Sequence, residues 1–456
     1  LGKAGKMDKE VRKKRHLSQT QFIAYGFFAI ILIGALLLML PIANRGGKNL
    51  GFINCLLTAT SATCVTGLVA ADTWSQWTLF GQMVILAMIQ IGGLGFITIG
   101  VFVSIILRRR VSLKARGLMQ ESMNTLQIGG IVRLAKKIVQ GTILFEGAGA
   151  VLLSIRFVPE FGFFRGVYYG IFHSISAFCN GGFDLMGIRE PYSSLTYYAG
   201  DWLVNFTIIS LIVIGGIGFI VWDDLSKKGL HFRKYLLHTK IVLVTTAILL
   251  AGGSLFFFAL ERNNLMVGMR PGEMFWTSLF QSATARTAGF NTTDTAALTD
   301  GSKLLTIILM FIGGSPGSTA GGIKTTTLAV LLLSARASIR QTVGVEIYNR
   351  RLDDEAVRQA GLILIINLAL AMAAAMWMVL AQPELAMSDV LFETFSAIGT
   401  AGMSTGTTRE LLLASRVPLI ILMFCGRVGS LSSALAFTQS KKKPPVMQPV
   451  EKITVG

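Results

Sequence analysis

Four segments rich in small residues each end in a glycine, and the four glycines are almost evenly spaced. They are Gly67 in SATCVTGL, Gly182 in SAFCNGGF, Gly289 in ATARTAGF and Gly402 in SAIGTAGM, at intervals of 115, 107 and 113 residues. Each segment lies between two long apolar stretches. A period of this size means one structural unit used four times. Ser61-Ala62, Ser176-Ala177 and Ser396-Ala397 keep a constant offset before their glycines, whereas Ser282-Ala283 is one residue out of register. A bulky residue stands ten positions before every glycine: Leu57, Phe172, Leu279 and Phe392. The pattern is that of a fourfold pore.

With 52% hydrophobic and 14% charged residues, the chain has too little polar surface to cover a soluble globule. Eight apolar spans are expected, at 22–42, 79–107, 138–158, 202–222, 240–260, 304–335, 362–381 and 417–437. A helix of about 20 residues rises about 30 Å, the hydrocarbon thickness of a bilayer. The net charge of +18 suggests an anionic partner, but its placement favours a membrane reading. Threading eight spans puts 29 of the 42 Lys and Arg on one side, in 1–19, 108–137, 223–240, 336–358 and 440–456. By the positive-inside rule that side is cytoplasmic and holds both termini, so anionic lipid or an acidic cytoplasmic partner is favoured over nucleic acid. The basic run 9–15 followed by apolar residues resembles a signal peptide. The apolar stretch, however, continues for about 20 residues to Leu40-Pro41-Ile42 without a small-x-small cleavage site, so it reads as a retained first span. The chain starts at Leu1 and not at Met, as expected of an N-terminus left either by processing or by cloning. Cys55, Cys64, Cys179 and Cys425 have no C-x-x-C pairing, which argues against zinc or a disulfide framework.

Each quarter reads as helix, short amphipathic half-helix, Gly/Thr-rich stretch, helix. The half-helices at 50–62, 166–178, 271–285 and 388–398 are too short to span. Irregular backbone at membrane depth survives only inside protein or beside water, so these segments face inward together. In Thr63-Cys64-Val65-Thr66-Gly67 a glycine permits positive φ, and consecutive carbonyls can then point one way. Four copies, completed by Cys179-Asn180-Gly181-Gly182, Arg286-Thr287-Ala288-Gly289 and Gly399-Thr400-Ala401-Gly402, would make rings of carbonyls that replace a cation's water shell. The half-helices aim their negative C-terminal ends at the same place. Asp72, Asp184 and Asp294 follow three of the loops, either to attract cations or as solvated loop carboxylates. Small residues at Gly92-Gly93, Gly95, Gly215-Gly216, Gly218, Gly313-Gly314, Gly426 and Gly429 suggest close packing of the following helices on the loops.

The third quarter contains Gly313-Gly314-Ser315-Pro316-Gly317-Ser318-Thr319-Ala320-Gly321-Gly322-Ile323-Lys324 inside an apolar span. Gly costs about 1 kcal/mol and Pro about 3 kcal/mol in a helix interior relative to Ala, so a broken helix is expected there, and a gate below a filter. Its spacing is not that of a phosphate loop. Arg286, Lys324 and Arg427 lie where lipid-facing charge costs about 2.5–3.5 kcal/mol each. Arg427 is suited to holding loose carbonyls of the broken segment or repelling a cation beneath it, and Arg286 to propping its own loop through carbonyls. Glu146, Glu393 and His173 read as structural hydrogen-bonding groups. His16, His173, His231 and His238 have no metal-ligand spacing, and no enzyme is expected.

ATSATCVTGL at 59–68, FHSISAFCNGGF at 172–183, ATARTAGFNT at 283–292, FETFSAIGTAGM at 392–403, GGSPGSTAGGIK at 313–324 and CGRVG at 425–429 resemble the Trk/Ktr/HKT superfamily of potassium transporters, and within it the bacterial KtrB membrane subunits. The resemblance covers about 18–440. It implies an all-α membrane protein of eight transmembrane helices with four re-entrant pore loops, as four helix–pore loop–helix repeats in pseudo-fourfold arrangement. The units are 21–107 (pore loop 50–68), 108–222 (pore loop 166–183), 223–340 (pore loop 271–290, gate loop 313–322) and 341–440 (pore loop 388–403), between basic tails at 1–20 and 441–456. It also implies a homodimer with one pore per subunit in a bacterial plasma membrane. A cytoplasmic ring of RCK-type nucleotide-binding subunits would carry ATP or ADP, and this chain no cofactor, with potassium permeant and sodium as a modulator. Cys64 and Cys179 stand where relatives often carry Asn or Thr, and Pro316 stiffens the gate loop. Relatives with Ser in the first filter favour sodium; Gly67 points to potassium. A sodium- or proton-coupled potassium symporter is the alternative, with Glu146 and Glu393 as its titratable groups.

Overall fold

The computed structural model describes residues 18–47, 50–107, 112–122, 130–342 and 344–429. Residues 1–17 of the expected N-terminal tail, the tail at 441–456 and the end of the last expected span at 430–437 lie outside the described residues. A long helix, α1 (Gln19–Met39), opens on a capping box between Ser18 and Gln21 and leads to a short one, α2 (Phe52–Cys64). After a single turn, α3 (Thr73–Gln76), come α4 (Leu79–Leu94), α5 (Phe96–Ile106) and the connecting α6 (Leu113–Ser122). The order then recurs. It gives α7 (Ile131–Phe161), α8 (Phe163–Phe178), α9 (Trp202–Gly216) and α10 (Phe219–Lys228), then α11 (Leu237–Glu261), α12 (Pro271–Thr284), α13 (Asp300–Phe311) and α14 (Thr325–Ile339). A small antiparallel ribbon at 346–351 precedes α15 (Asp354–Ala381), α16 (Met387–Gly399) and α17 (Leu413–Val428).

Among the described residues α1, α7, α11 and α15 are the four single helices long and apolar enough to cross a bilayer. Their outer faces expose Phe28, Leu144, Ile248 and Ile365, which lipid rather than water would cover. Two further spans are bent pairs: α4 and α5 meet at 94°, α9 and α10 at 96°. The continuous spans expected at 79–107 and 202–222 are therefore broken, and a break foreseen in the third quarter alone recurs. The cause is local: Gly95 and Gly218 hold φ of +80° and +96°, which a right-handed helix cannot contain.

The short helices form the centre. Leu57, Phe172, Phe280 and Phe392 have no exposed surface, and the last two turns of α2 and α16 are wholly buried. Leu279 is only partly buried because α12 is offset by one residue, which brings Phe280 inward. Each short helix packs on the long helix before it: α2 on α1, α8 on α7, α12 on α11, α16 on α15. Each also meets the helix after a different short one. The pairs are α4 with α8, α9 with α12, α13 with α16 and α17 with α2, which closes a cycle. The protein is thus a helical membrane protein with its short helices enclosed by the long ones.

Glycine makes that enclosure tight. A Cβ on Gly92 would lie 2.0 Å from the Thr63 carbonyl oxygen, one on Gly215 2.0 Å from that of Phe178, and one on Gly426 2.2 Å from that of Ile398. The three carbonyls all belong to the residue four before a loop glycine. Overpacking of such contacts destabilises by about 1–3 kcal/mol. Gly215→Ala should therefore lower the unfolding temperature of the detergent-solubilised protein. Gly100→Ala, in α5 with nothing within 4 Å, should raise it slightly or leave it unchanged. Equal melting of the two variants would contradict this packing.

Candidate functional site

The four loop glycines, far apart in sequence, meet. A Cβ built on Gly67 would lie 3.1 Å from the Gly181 oxygen, one on Gly182 2.7 Å from the Ala288 oxygen, one on Gly289 3.0 Å from the Ala401 oxygen and one on Gly402 2.0 Å from the Thr66 oxygen. Each glycine thus faces the peptide just before the next glycine, and the fourth returns to the first. A Cβ on Gly67 or on Gly289 would also lie against the α-carbons of both Gly182 and Gly402, so the order round the ring is 67, 182, 289, 402 and Gly182 sits across from Gly402.

The backbone arrives at this ring by the same route four times. Gly67, Gly182, Gly289 and Gly402 have φ between +68° and +99°. Two residues earlier Val65, Asn180, Thr287 and Thr400 also have positive φ, between +50° and +73°. Val and Thr are poor residues there, and such strain costs about 1–3 kcal/mol each. It is held by helix ends: Thr66, Gly181 and Ala401 donate their N–H to the oxygens of Ser61, Ser176 and Ser396 at 2.8, 2.6 and 2.8 Å. These are Schellman-type closures with a non-glycine at the left-handed position. In the third loop Ala288 donates to Thr284 at 2.9 Å, absorbing the extra residue between its helix and its glycine. Thr63, Cys64 and Gly399 remain helical, and Cys179 caps α8.

Alternation of positive and negative φ turns successive carbonyls toward one side. The carbonyls of 65–67, 180–182, 287–289 and 400–402 accept no hydrogen bond from protein among the described residues. Buried carbonyls are normally paired, so a dozen free acceptors in one place is a site for something that takes lone pairs. The side-chain oxygens of Thr63, Thr66, Thr287 and Thr400 and the amide of Asn180 are likewise buried and unpartnered.

Residues 312–324 between α13 and α14 lie against the loops. The segment is stitched to α9 and α10: Ser315 donates its N–H to Gly216 at 2.9 Å, Thr319 to Gly215 at 3.2 Å, and Phe219 donates to Gly317 at 2.8 Å. Thr319 Oγ1 reaches the Phe178 oxygen at 3.0 Å. A Cβ on Gly313 would meet the Gly321 oxygen, and one on Gly321 would meet Thr400 Oγ1, so the segment folds on itself beneath the fourth loop. Arg427 clasps it. The guanidinium donates to the Thr319 oxygen and to the oxygens of Gly92 and of Gly93, the last at 3.0 Å, which ties the segment to the break after α4. Lys324 Nζ turns back onto the Ala320 and Gly321 oxygens at 2.8 and 3.3 Å. Gly314 accepts from Thr325, Pro316 carbonyl abuts Gly218, Ser318 Oγ is buried without a partner, and Gly322 holds φ of +67°. A cavity of about 380 Å³, lined by Gly93, Phe219, Pro316, Lys324, Thr327 and Arg427, opens next to it.

Other expected residues fall less centrally. Arg286 is buried, but its Nε has no partner and no bond from its side chain to a loop carbonyl is found among the described residues, so the expected propping through carbonyls is absent. Asp72 is buried and occupied in structure, accepting from the N–H groups of Ser75 at 2.8 Å and Tyr192 at 3.1 Å. Asp294 is exposed and closes its own turn onto Ala296. Asp184 is half-buried, and burial followed by the facing Asp72 carboxylate pushes its carboxyl up to about 7. Glu146 meets Gln90 Nε2 at 3.2 Å and the Cys179 thiol at 3.8 Å. No disulfide joins the cysteines, and no cluster of metal ligands occurs, among the described residues.

Of the left-handed residues at the second position before each glycine, Asn180 is of a type that adopts that backbone readily, whereas Val65, Thr287 and Thr400 carry no sequence signal for it. The engagement of Gly92 and Gly93 carbonyls by Arg427 was equally invisible, because it joins residues 335 and 334 positions apart.

A family model described as TrkH, cation transport protein, matches residues 6–444. The Ktr system potassium uptake protein B of Bacillus subtilis is 40% identical, over 92% of this chain and 93% of that one. The potassium/sodium uptake protein NtpJ of Enterococcus hirae is 38% identical over 99% of both chains. The crystal structure of the potassium transporter TrkH from Vibrio parahaemolyticus superposes with a TM-score of 0.73 at 17% identity, covering 93% of this chain and 86% of that one, a likeness of fold. A transport family agrees with the expectation that the chain is not an enzyme. Four glycine loops closed on one another, a match over nearly the whole length and relatives at this identity together place the chain in the TrkH family of cation transport proteins.

Proposed function

We propose that the protein takes up potassium across a bacterial plasma membrane through a channel-like pore, with the four loops as its selectivity filter. The observation that carries this reading is the ring of glycines at Gly67, Gly182, Gly289 and Gly402 with free carbonyls beside it. A dehydrated alkali cation needs several oxygen ligands at once, and rings of peptide oxygens supply them. The filter consists of Thr63 to Gly67, Cys179 to Gly182, Arg286 to Gly289 and Gly399 to Gly402, within four repeats at 21–107, 108–222, 223–340 and 341–440 and eight spans, the broken helices counted as spans. Potassium comes from the names of the relatives, which are potassium uptake proteins in Bacillus subtilis and Vibrio alginolyticus.

Gly67→Ser tests the filter. Its Cβ would crowd Gly181, Gly182 and Gly402 at 3.1–3.2 Å on a backbone with φ of +99°, so the ring must widen. The preference for potassium over sodium should fall by about tenfold, equivalent to about 1.4 kcal/mol. Competition uptake into proteoliposomes reads the ratio, and an unchanged one removes the filter assignment.

The segment from Gly313 to Gly322, with Lys324 and Arg427, is the gate. Support comes from its position beneath Thr400 and from the Arg427 hydrogen bonds that hold it. A cation beneath the filter also faces two positive side chains there. Charge-assisted bonds contribute about 1.5–3 kcal/mol each, so Arg427→Gln should raise resting flux by roughly tenfold or more. Deleting 315–320 should raise it as well. Gated uptake at the normal rate in the deletion variant would end the gate reading.

The excess of Lys and Arg in the expected cytoplasmic segments supports both termini inside and a basic face for regulatory RCK-type subunits, which would carry ATP or ADP. The membrane subunit acts as a homodimer on this reading. A second reading, symport coupled to sodium or protons, is favoured by the buried Glu146 carboxyl, which has polar but no cationic partners among the described residues, and by the potassium/sodium name of the Enterococcus hirae relative. Potassium flux driven by its own gradient alone, without sodium or pH gradients, decides for the channel.

A further inference from the structure

The two loops that lie across the ring from one another are tied down by a device the other two lack. Counted from the Ser-Ala pair of each short helix, the residue three before the serine is Thr58, His173, Leu279 and Glu393. His173 and Glu393, both without exposed surface, reach over their own loop and accept a hydrogen bond from the backbone N–H of the third residue after its glycine. For His173 this is Leu185, which donates to Nε2 at 3.3 Å; for Glu393 it is Thr405, which donates to Oε1 at 3.2 Å. One helix position and one loop N–H are thus joined twice by chemically unlike side chains.

Each side chain is itself fixed. With Nε2 accepting, Nδ1 of His173 carries the proton and donates to the Tyr169 oxygen at 2.7 Å, and the ring packs against Phe157, Phe172 and Phe290. Glu393 also accepts from Ser404 Oγ at 2.5 Å and from Thr408 Oγ1. In the first loop Thr58 Oγ1 turns to its own helix at Asn54, 2.9 Å away, and Leu279 in the third has nothing to offer. No side chain bonds the N–H of Ala70 or Thr292 among the described residues. A buried acceptor costs stability unless it is paired, so two such groups beside the ring serve the loops they hold.

We propose that His173 and Glu393 are a diagonal pair of positioning residues that fix the outer ends of the second and fourth loops and thereby set the width that separates potassium from sodium. This rests on the filter reading. Neither residue touches the ion; each acts through the backbone that carries Gly182 or Gly402.

The test is the potassium-to-sodium uptake ratio in proteoliposomes of the purified full chain, alongside its melting temperature. His173→Leu and Glu393→Leu should each lower the ratio by about fivefold, the change one net hydrogen bond can produce. Glu393→Gln, which keeps an oxygen for Thr405, should stay near the unaltered ratio, and so should Thr58→Val at the matching position of the first helix. If the Leu variants cannot be recovered folded, Ser404→Ala removes one of the hydrogen bonds that join Glu393 to the fourth loop, at a half-buried position and with the Thr405 bond left in place, and should lower the ratio by about twofold. An unchanged ratio in recovered Leu variants, an unchanged ratio in Ser404→Ala where they are not recovered, or an equal fall in Thr58→Val overturns the proposal. Gly67→Ser in the same series separates the two ideas. If it lowers the ratio and the brace variants do not, the pair has no such role; if it too leaves the ratio intact, the filter reading itself has failed.

Discussion

Contact between each loop glycine and the peptide before the next one is the constraint on which the rest depends. Four such contacts close into a ring, and the tightest, Gly402 against the Thr66 oxygen, would leave a Cβ only 2.0 Å away. No side chain fits there. At Gly182 a Cβ would lie 2.7 Å from the Ala288 oxygen, and at Gly67 and Gly289 the neighbours would have to give way around a left-handed backbone, so glycine at all four positions keeps the ring at its tightest, and the fold brings those positions together. It does so with short helices whose buried ends tolerate strained residues such as Val65 and Thr400, and with long helices that keep those ends from lipid.

Closing the ring has an electrostatic consequence. Free carbonyls cluster where the negative ends of four short helices also converge, so the centre is a poor place for an anion and a good one for a cation stripped of water. The same helices that supply this attraction need close backing. Gly92, Gly215 and Gly426 lie on the carbonyls of Thr63, Phe178 and Ile398, four residues before the glycines, and a larger residue would push the loops inward. Immediately beneath, the chain between α13 and α14 gives up helical bonding and recovers it from Gly215, Gly216 and Arg427. A segment held by hydrogen bonds borrowed from its neighbours lacks the cooperative ladder of a continuous helix.

Much of this was legible in the sequence because small residues are forced by close approach. The glycine period, the four short helices to within a few residues, the break at 313–322 and the position of Arg427 all follow from where Gly, Pro and charge are allowed in a bilayer. The rest depends on tertiary contact. The bends at Gly95 and Gly218 look like ordinary small-residue packing until the neighbouring loops are present. Val65 and Thr287 carry no mark of a left-handed backbone, since the surroundings impose it. Arg286 stands in sequence as a charge beside the third glycine, yet no bond from its side chain to a loop carbonyl is found among the described residues. His173 and Glu393 look unrelated in sequence and become equivalent only when their helices are aligned and the bonds to Leu185 and Thr405 are seen.

The most direct measurement is anomalous diffraction from crystals grown with thallium or rubidium in place of potassium. The account predicts an ion peak on the line through the centre of the four glycines, ringed by the carbonyl oxygens of Thr66, Gly181, Ala288 and Ala401. Ion peaks found only elsewhere in the protein, with that centre empty in crystals that bind the ion, would contradict it.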